Sequence, residues 1–149
     1  MEYSEISVDV PDGWEAATSG GRFRLLANGA HESTVVHIGS FPLPQERASF
    51  GGGAVELMNT DDVLIVLFEY GPESVNTALF APKGIPRPLD PQLFDRNRLE
   101  RGIPGQSGLQ QFFTESNRPF CLYVVLGSHI DRVELVAKVN VVLDSLVIR

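Results

Sequence analysis

Two short runs of apolar residues constrain the fold of this chain more than any other feature. Residues 63–68 read Val-Leu-Ile-Val-Leu-Phe, and residues 120–126 read Phe-Cys-Leu-Tyr-Val-Val-Leu. Each run is short and bounded by turn-forming residues, as is typical of a strand that is buried on both faces. Neither run approaches the roughly 18 residues that a membrane-spanning helix needs. The chain must therefore cover both faces of a sheet that has these two strands at its centre.

Other segments predict antiparallel strands around this centre. Residues 3–10 alternate between polar and apolar side chains, which is the period of a strand with one wet face. Further strands are predicted at residues 23–26 and 33–41. Residues 109–114 are expected to form a hairpin with the second apolar run, through a turn at 116–119.

The C-terminal residues 131–146 predict a helix. Asp131 is suited to the N-cap, and Glu134 follows three residues later, as in a capping box. Several residues fall near one helical face, which we expect to lie on the sheet: Val133, Val136, Ala137, Asn140, Leu143 and Leu146. Val139 and Val142 widen this face. Residues 147–149 are expected to add a short terminal strand.

Length and pattern together predict one α+β domain over residues 1–149. The 149 residues suit a single core, and a domain of this size buries roughly 68–70% of its unfolded surface. We expect a twisted, mostly antiparallel sheet of about six strands, with the C-terminal helix packed on one face.

Charge and cysteine content exclude several classes of protein. The net charge is −7, which argues against binding to the nucleic-acid backbone. The single cysteine, Cys121, excludes a disulfide scaffold and an all-cysteine zinc site. The N-terminus has no basic and apolar leader, so we expect a cytoplasmic protein without membrane insertion. An extracytoplasmic location is the alternative if the chain is a trimmed form of an anchored protein.

Residues 81–108 form the irregular segment of the chain. Five prolines and four glycines occur in these 28 residues, although 91–99 could hold a short helix. Long irregular segments inside a compact domain are uncommon and are often functional. The irregular segment is therefore the first place to look for a binding surface.

Basic residues are concentrated in the irregular segment. Five cations against three carboxylates give it a charge of +2 within a chain of charge −7. One interpretation is a contact patch for a negatively charged partner, with Phe94 as an aromatic anchor. The alternative is that the arginines hold the segment to acidic neighbours. The predicted partner-binding residues are Arg87, Arg96, Arg98, Arg101 and Phe94.

The chain contains few candidate catalytic groups. Its histidines and cysteine match no metal-binding spacing, and no nucleophile-elbow or phosphate-loop motif is present. His37 and Cys121 lie on separate predicted strands and could be neighbours. The pattern favours a hydrogen-bonded sheet histidine and an inert core cysteine. We therefore predict no catalytic residues, no metal and no cofactor.

Several motifs resemble a group of small actinobacterial proteins with no assigned activity. They are the turn at 10–14, the segments 40–44, 62–72 and 118–127, and the helical stretch 140–146. The opening strand with Pro11-Asp12-Gly13-Trp14, together with the final strand and helix, also resembles the Mog1/PsbP-like fold. That resemblance implies an antiparallel sheet with helices, used by non-enzymatic binding and assembly proteins. It implies no catalytic residue.

The sequence thus favours a non-enzymatic binding or accessory domain that recognises a protein partner or a second copy of itself. One alternative is a small-ligand carrier or sensor with a pocket between sheet and helix. Its candidate lining residues are Trp14, Phe112, Phe113 and Tyr123. A further alternative is an enzyme that uses His37, His129 and Cys121.

Overall fold

A computed structural model describes residues 6–19, 34–45, 52–100 and 102–149. It confirms the mixed α+β class: a five-stranded antiparallel sheet, a small second sheet and one C-terminal α-helix. The strands are β1 (Ile6–Ser7), β2 (Glu15–Ser19), β3 (Val35–Gly39), β4 (Val63–Glu69), β5 (Ser107–Glu115), β6 (Arg118–Leu126) and β7 (Val147–Ile148). The helix α1 spans Arg132–Asp144. Single turns of 3-10 helix lie at Val55–Leu57, Pro72–Ser74, Ala78–Phe80 and Pro91–Leu93.

The two apolar runs form the central strands, as predicted. The strand order of the main sheet is β2-β3-β4-β6-β5, so β4 and β6 each have a strand on both sides. Ile65 lies opposite Val124, and Phe68 lies opposite Cys121. The almost continuous burial of both strands follows from cover on both faces of the sheet.

The hairpin between β5 and β6 is tighter than the sequence suggested. Ser116 and Asn117 alone form its loop, with φ values of 53° and 61°, as in the two-residue turns that match strand twist. Arg118 and Pro119, which we expected in the turn, begin β6 instead. The side chain of Arg118 pairs with Glu69 at 2.8 Å and so joins β6 to β4.

Each face of the main sheet carries its own apolar cluster. On the first face, called here the helix face, Ile65, Leu122 and Val124 pack with buried residues of α1. On the second face, called here the loop face, Val66 and Tyr123 pack with residues of the connecting segments. The side chains alternate between the two faces along each strand, so both clusters draw on the same strands.

The helix forms where predicted, and it buries part of the predicted face. Leu135, Val136, Val139, Val142 and Leu143 are buried, whereas the expected core residues Val133 and Ala137 are exposed. The capping box is also absent, because the Asp131 side chain makes no cap hydrogen bond. Because α1 is apolar on nearly every side, its sequence period does not determine which side packs on the sheet.

The terminal strands pair with each other outside the main sheet. Ile6 lies opposite Ile148, and Ser7 lies opposite Val147. Within the described residues the strands therefore form two sheets, of five and two strands, because α1 takes the chain out of the plane of the main sheet before β7 begins. The predicted strand at 23–26 lies outside the described residues, and β2 was not predicted.

Candidate binding cleft at the edge of the sheet

The irregular segment returns to the edge strand β5 at two points. At the first, the N–H of Gly84 donates to the Thr114 carbonyl, and the N–H of Thr114 donates to the Pro82 carbonyl, both at 2.8 Å. At the second, Asp95 and Gly108 exchange two backbone hydrogen bonds of 3.0 and 2.9 Å. We call these the Thr114 clamp and the Gly108 clamp. They fix both ends of the loop formed by residues 85–94.

The loop between the clamps is held against α1. The N–H of Leu89 donates to Asn140 Oδ1 at 2.8 Å, and Asn140 Nδ2 donates to the Leu89 carbonyl at 3.1 Å. The Arg87 guanidinium donates to the carbonyl of Leu143 in the last turn of α1 and to the carbonyl of Leu146 just after the helix. The last turn carries the negative end of the helix dipole, so a cation is favoured there. The segment is therefore irregular in backbone but fixed by specific bonds.

Between the two clamps, β5 leaves part of its outer edge open. Gly108 and Thr114 point their backbone groups away from β6, and alternation along a strand gives Gln110 and Phe112 the same direction. Within the described ranges, the backbone N–H and C=O groups of these two residues have no hydrogen-bond partner. The five residues 109–113 span about 17 Å of extended chain. This gap is a place where a further short strand can pair.

A cavity of about 600 Å³ lies between this open edge and the start of the loop. It is open to solvent over much of its surface, so it is a groove along the edge of the sheet and not an enclosed chamber. We call the cavity and the open edge together the edge cleft. The cavity is lined by Leu79, Pro82, Lys83, Gly84, Ile85, Pro86, Arg87, Gln111, Phe112 and Phe113.

The charge of the edge cleft is opposite to that of the whole chain. Lys83 and Arg87 line the cavity, and its lining includes no aspartate or glutamate, although the chain carries −7. Both side chains belong to exposed residues. Arg87 is already hydrogen-bonded to backbone carbonyls, so Lys83 is the cation that this lining leaves for a partner. Because a cation in a partly enclosed cleft attracts ions of opposite sign, the cleft favours an anionic group.

The structure brings only one of the predicted partner-binding residues into this cleft. Arg87 lines it, whereas Arg96 and Arg98 are exposed beyond the Gly108 clamp. Arg101 lies outside the described residues. The Phe94 side chain is buried in the helix-face cluster, with 4% of its surface exposed, so it cannot anchor a partner at the surface. The Phe94 ring packs against apolar side chains of this cluster, as is usual for a buried aromatic residue.

Sequence reasoning missed the open backbone groups of β5. The polar residues Gln110 and Gln111 interrupt the apolar pattern of this strand, which is a signal of an edge position. The clamps are hydrogen bonds between backbone groups. Because these groups are the same in nearly every residue type, no sequence pattern shows where the chain returns to the β5 edge.

His37 and Cys121, which the sequence allowed as neighbours, lie on strands that do not adjoin. Strand β4 lies between β3, which carries His37, and β6, which carries Cys121, so two strand spacings of about 10 Å in total separate their backbones. Burial raises the pKa of the Cys121 thiol to about 12, which opposes thiolate formation. His129 follows the far end of β6. Burial is the largest cause that lowers the pKa of His129, and the positive charges of Arg132 and Arg96 lower it further.

The polar turn before β4 has a structural role. The Asp62 carboxylate accepts hydrogen bonds from Ser40 Oγ and from the N–H of Asn59, both at 2.9 Å. Ser40 Oγ in turn accepts the N–H of Val63 at 2.9 Å. Among the residues that the structure describes, no group of three histidine, cysteine or acidic side chains is placed to hold a metal.

The aromatic residues predicted to line a pocket under the helix lie on different faces. Phe113 and Trp14 pack in the helix-face cluster, whereas Phe112 and Tyr123 belong to the loop face. Phe112 and Phe113 both line the edge cleft. The cavity described here is therefore at the edge of the sheet and not between sheet and helix.

Comparison of the chain with family models, curated proteins and solved structures found no match in any of the three. The resemblances to the actinobacterial group and to the Mog1/PsbP-like fold stay predictions. Within the described residues, no helix has the length and apolar character needed to cross a membrane.

Proposed function

We propose that this protein is a non-enzymatic binding or accessory domain that recognises a short acidic stretch of a protein partner at the edge cleft. The observation that carries this proposal is the open backbone of Gln110 and Phe112 beside a preformed cavity. A peptide that adds to a sheet edge gains backbone hydrogen bonds from the edge and side-chain contacts from adjoining cavities. The cleft offers both.

The two clamps limit what can bind. They leave only residues 109–113 open, so a partner strand can pair over about 17 Å at most. A second copy of the nine-residue strand β5 is too long to pair along this edge without meeting the loop. The geometry therefore favours a short extended stretch that enters and leaves from solvent.

The residues that line the cavity indicate which side chains a bound partner would carry. Leu79, Ile85 and Phe112 supply apolar contact area, and Lys83 supplies a cation at the rim. The expected ligand alternates an apolar residue, which enters the cavity, with an aspartate or glutamate near Lys83. Exposed charge pairs contribute modestly, so the charge selects among peptides more than it strengthens binding.

A phage-displayed library of random linear peptides tests this proposal. We expect the wild-type protein to enrich acidic peptides, and Lys83→Glu to lose that acidic preference. If no peptide is enriched by the wild-type protein, the proposal is refuted.

A matched pair of variants at Gln110 then tests the edge. Gln110→Pro removes the outward N–H, and Gln110→Ala keeps it while removing the same side chain. We expect the affinity for an enriched peptide to fall about tenfold more in Gln110→Pro, because a hydrogen bond contributes roughly 0.5–1.5 kcal/mol and the ring adds a steric block. Equal binding by both variants would show that the peptide does not use the β5 edge.

A small-ligand carrier is the second candidate, favoured by the cavity volume of about 600 Å³. Native mass spectrometry of the purified protein tests it. A bound small molecule that is retained by Gln110→Pro but lost from Ile85→Trp, which fills the cavity, would support this second candidate. Wild-type protein that carries no added mass would count against it.

A further inference from the structure

The outer side of α1 exposes apolar residues along its length. Val133 and Val141 are 68% and 67% exposed, and Ala137 between them is also exposed. Ile130, 80% exposed, lies just before the helix and extends the row. Successive members are separated by three or four residues, so all four lie on one side of the helix. We call this row the outer stripe.

The outer stripe is unusual for a helix on the surface of a sheet. Such a helix normally turns polar residues to solvent, while a helix that is apolar all round is normally covered on all sides. Here α1 already buries Val136, Val139 and Leu143 against the sheet. An apolar row that is left exposed on the opposite side is a candidate interaction surface.

The stripe has the symmetry needed to meet a copy of itself. The small residue Ala137 lies midway between Val133 and Val141, four residues from each. In an antiparallel pair of helices related by a twofold axis at Ala137, each Val133 meets Val141 of the second copy. The alanines at the axis allow the two backbones to approach closely. A twofold interface requires this self-complementarity.

The charges beside the stripe are self-complementary as well. Glu134 and Lys138 lie on the same flank of the stripe, one helical turn apart. Within the described part of the chain neither forms an ion pair, and Lys138 Nζ reaches only the Asp61 carbonyl, at 3.4 Å. In the antiparallel pair, Glu134 of each copy faces Lys138 of the other.

We propose that two copies of this protein associate through the outer stripe, in an antiparallel pairing of their α1 helices centred on Ala137. This surface is separate from the edge cleft, so the proposal does not depend on the proposed function. One helix face is smaller than a standard interface, so we expect a dissociation constant on the order of 100 µM.

Sedimentation equilibrium of the full chain tests the pairing over about 10 µM to 1 mM. We expect the wild type to shift from monomer to dimer over this range. Ala137→Arg places two like charges at the axis, so it should remain monomeric. Because Ala137 is exposed, circular dichroism should show an unchanged fold. A wild type that is monomeric at the highest concentration overturns the proposal, as does an Ala137→Arg variant that still dimerises.

A charge swap tests the orientation of the helices. Glu134→Lys and Lys138→Glu should each weaken the dimer by about tenfold, since each replaces two attractive pairs with two repulsive ones. The double variant restores opposite charges and should recover wild-type association. Failure of the double variant to recover, with the fold intact, would overturn the antiparallel pairing.

Discussion

Replacement of Asn140 with alanine should destabilise the protein and release the loop from α1. The Asn140 amide makes both hydrogen bonds to the backbone of Leu89, at 2.8 and 3.1 Å. Leu89 is buried, so the variant leaves its N–H and C=O without partners. At roughly 1 kcal/mol for each bond, the free energy of unfolding should fall by about 2 kcal/mol.

Urea denaturation followed by circular dichroism measures this loss. A chain of this size has an m value of about 2 kcal/mol/M, so the midpoint should fall by about 1 M. The melting temperature should fall by about 4–8 °C. Val141→Ala is the matched control, because Val141 lies one residue further along α1 but is 67% exposed. At low micromolar concentration, where the proposed dimer is dissociated, its free energy of unfolding should change by less than about 0.5 kcal/mol.

Hydrogen exchange locates the effect. The Leu89 amide should be protected in the wild type and exchange rapidly in Asn140→Ala. Equal urea midpoints for Asn140→Ala and wild type, with a Leu89 amide that stays protected, would refute the reasoning. The loop would then be held by apolar packing of Leu89 alone.

Three further predictions concern the core and the titratable groups. Leu143→Ala truncates a side chain that is 1% exposed. Thermal or urea unfolding should show that the free energy of unfolding falls by about 2–5 kcal/mol, and an unchanged free energy would contradict the place of Leu143 in the core. Cys121, with its thiol pKa raised to about 12 by burial, should resist alkylation by iodoacetamide at pH 8 until the protein unfolds. The pKa of His129 is lowered below its ordinary 6.5, mainly by burial. The unfolded chain therefore binds its proton more readily, and stability should fall as the pH drops below about 6.5. His129→Gln should lack this component, and an unchanged pH profile of stability in that variant would contradict the assignment.

Local sequence patterns determined the central strands, the hairpin and the helix. The runs at 63–68 and 120–126 have no polar face, so they required cover on both sides wherever they were placed. The helix at Arg132–Asp144 and the terminal strand Val147–Ile148 also follow from residues close in sequence. These features depend on the period of neighbouring side chains, which a sequence displays directly.

The sequence identified the irregular segment, but it did not show how the individual residues of that segment are placed. Phe94 and Arg87 both looked like contact residues. In the fold, Phe94 is buried in the helix-face cluster, and Arg87 binds the carbonyls at the end of α1 while it lines the cleft. The difference arises because an aromatic or basic residue in a loop acquires its role from distant partners, here more than fifty residues away for Arg87.

Only the tertiary structure decided which of the predicted inner residues of α1 are exposed and where the edge of β5 stays open. Val133 and Ala137 satisfy the same helical period as the buried residues, so the pattern could not separate them. The cleft depends on backbone bonds at Thr114 and Gly108, and backbone groups are the same in every residue type except proline. A sequence shows which side chains must leave water. The choice among apolar sides, and the pairing of backbone edges, depends on long-range contacts that exist only in the assembled fold.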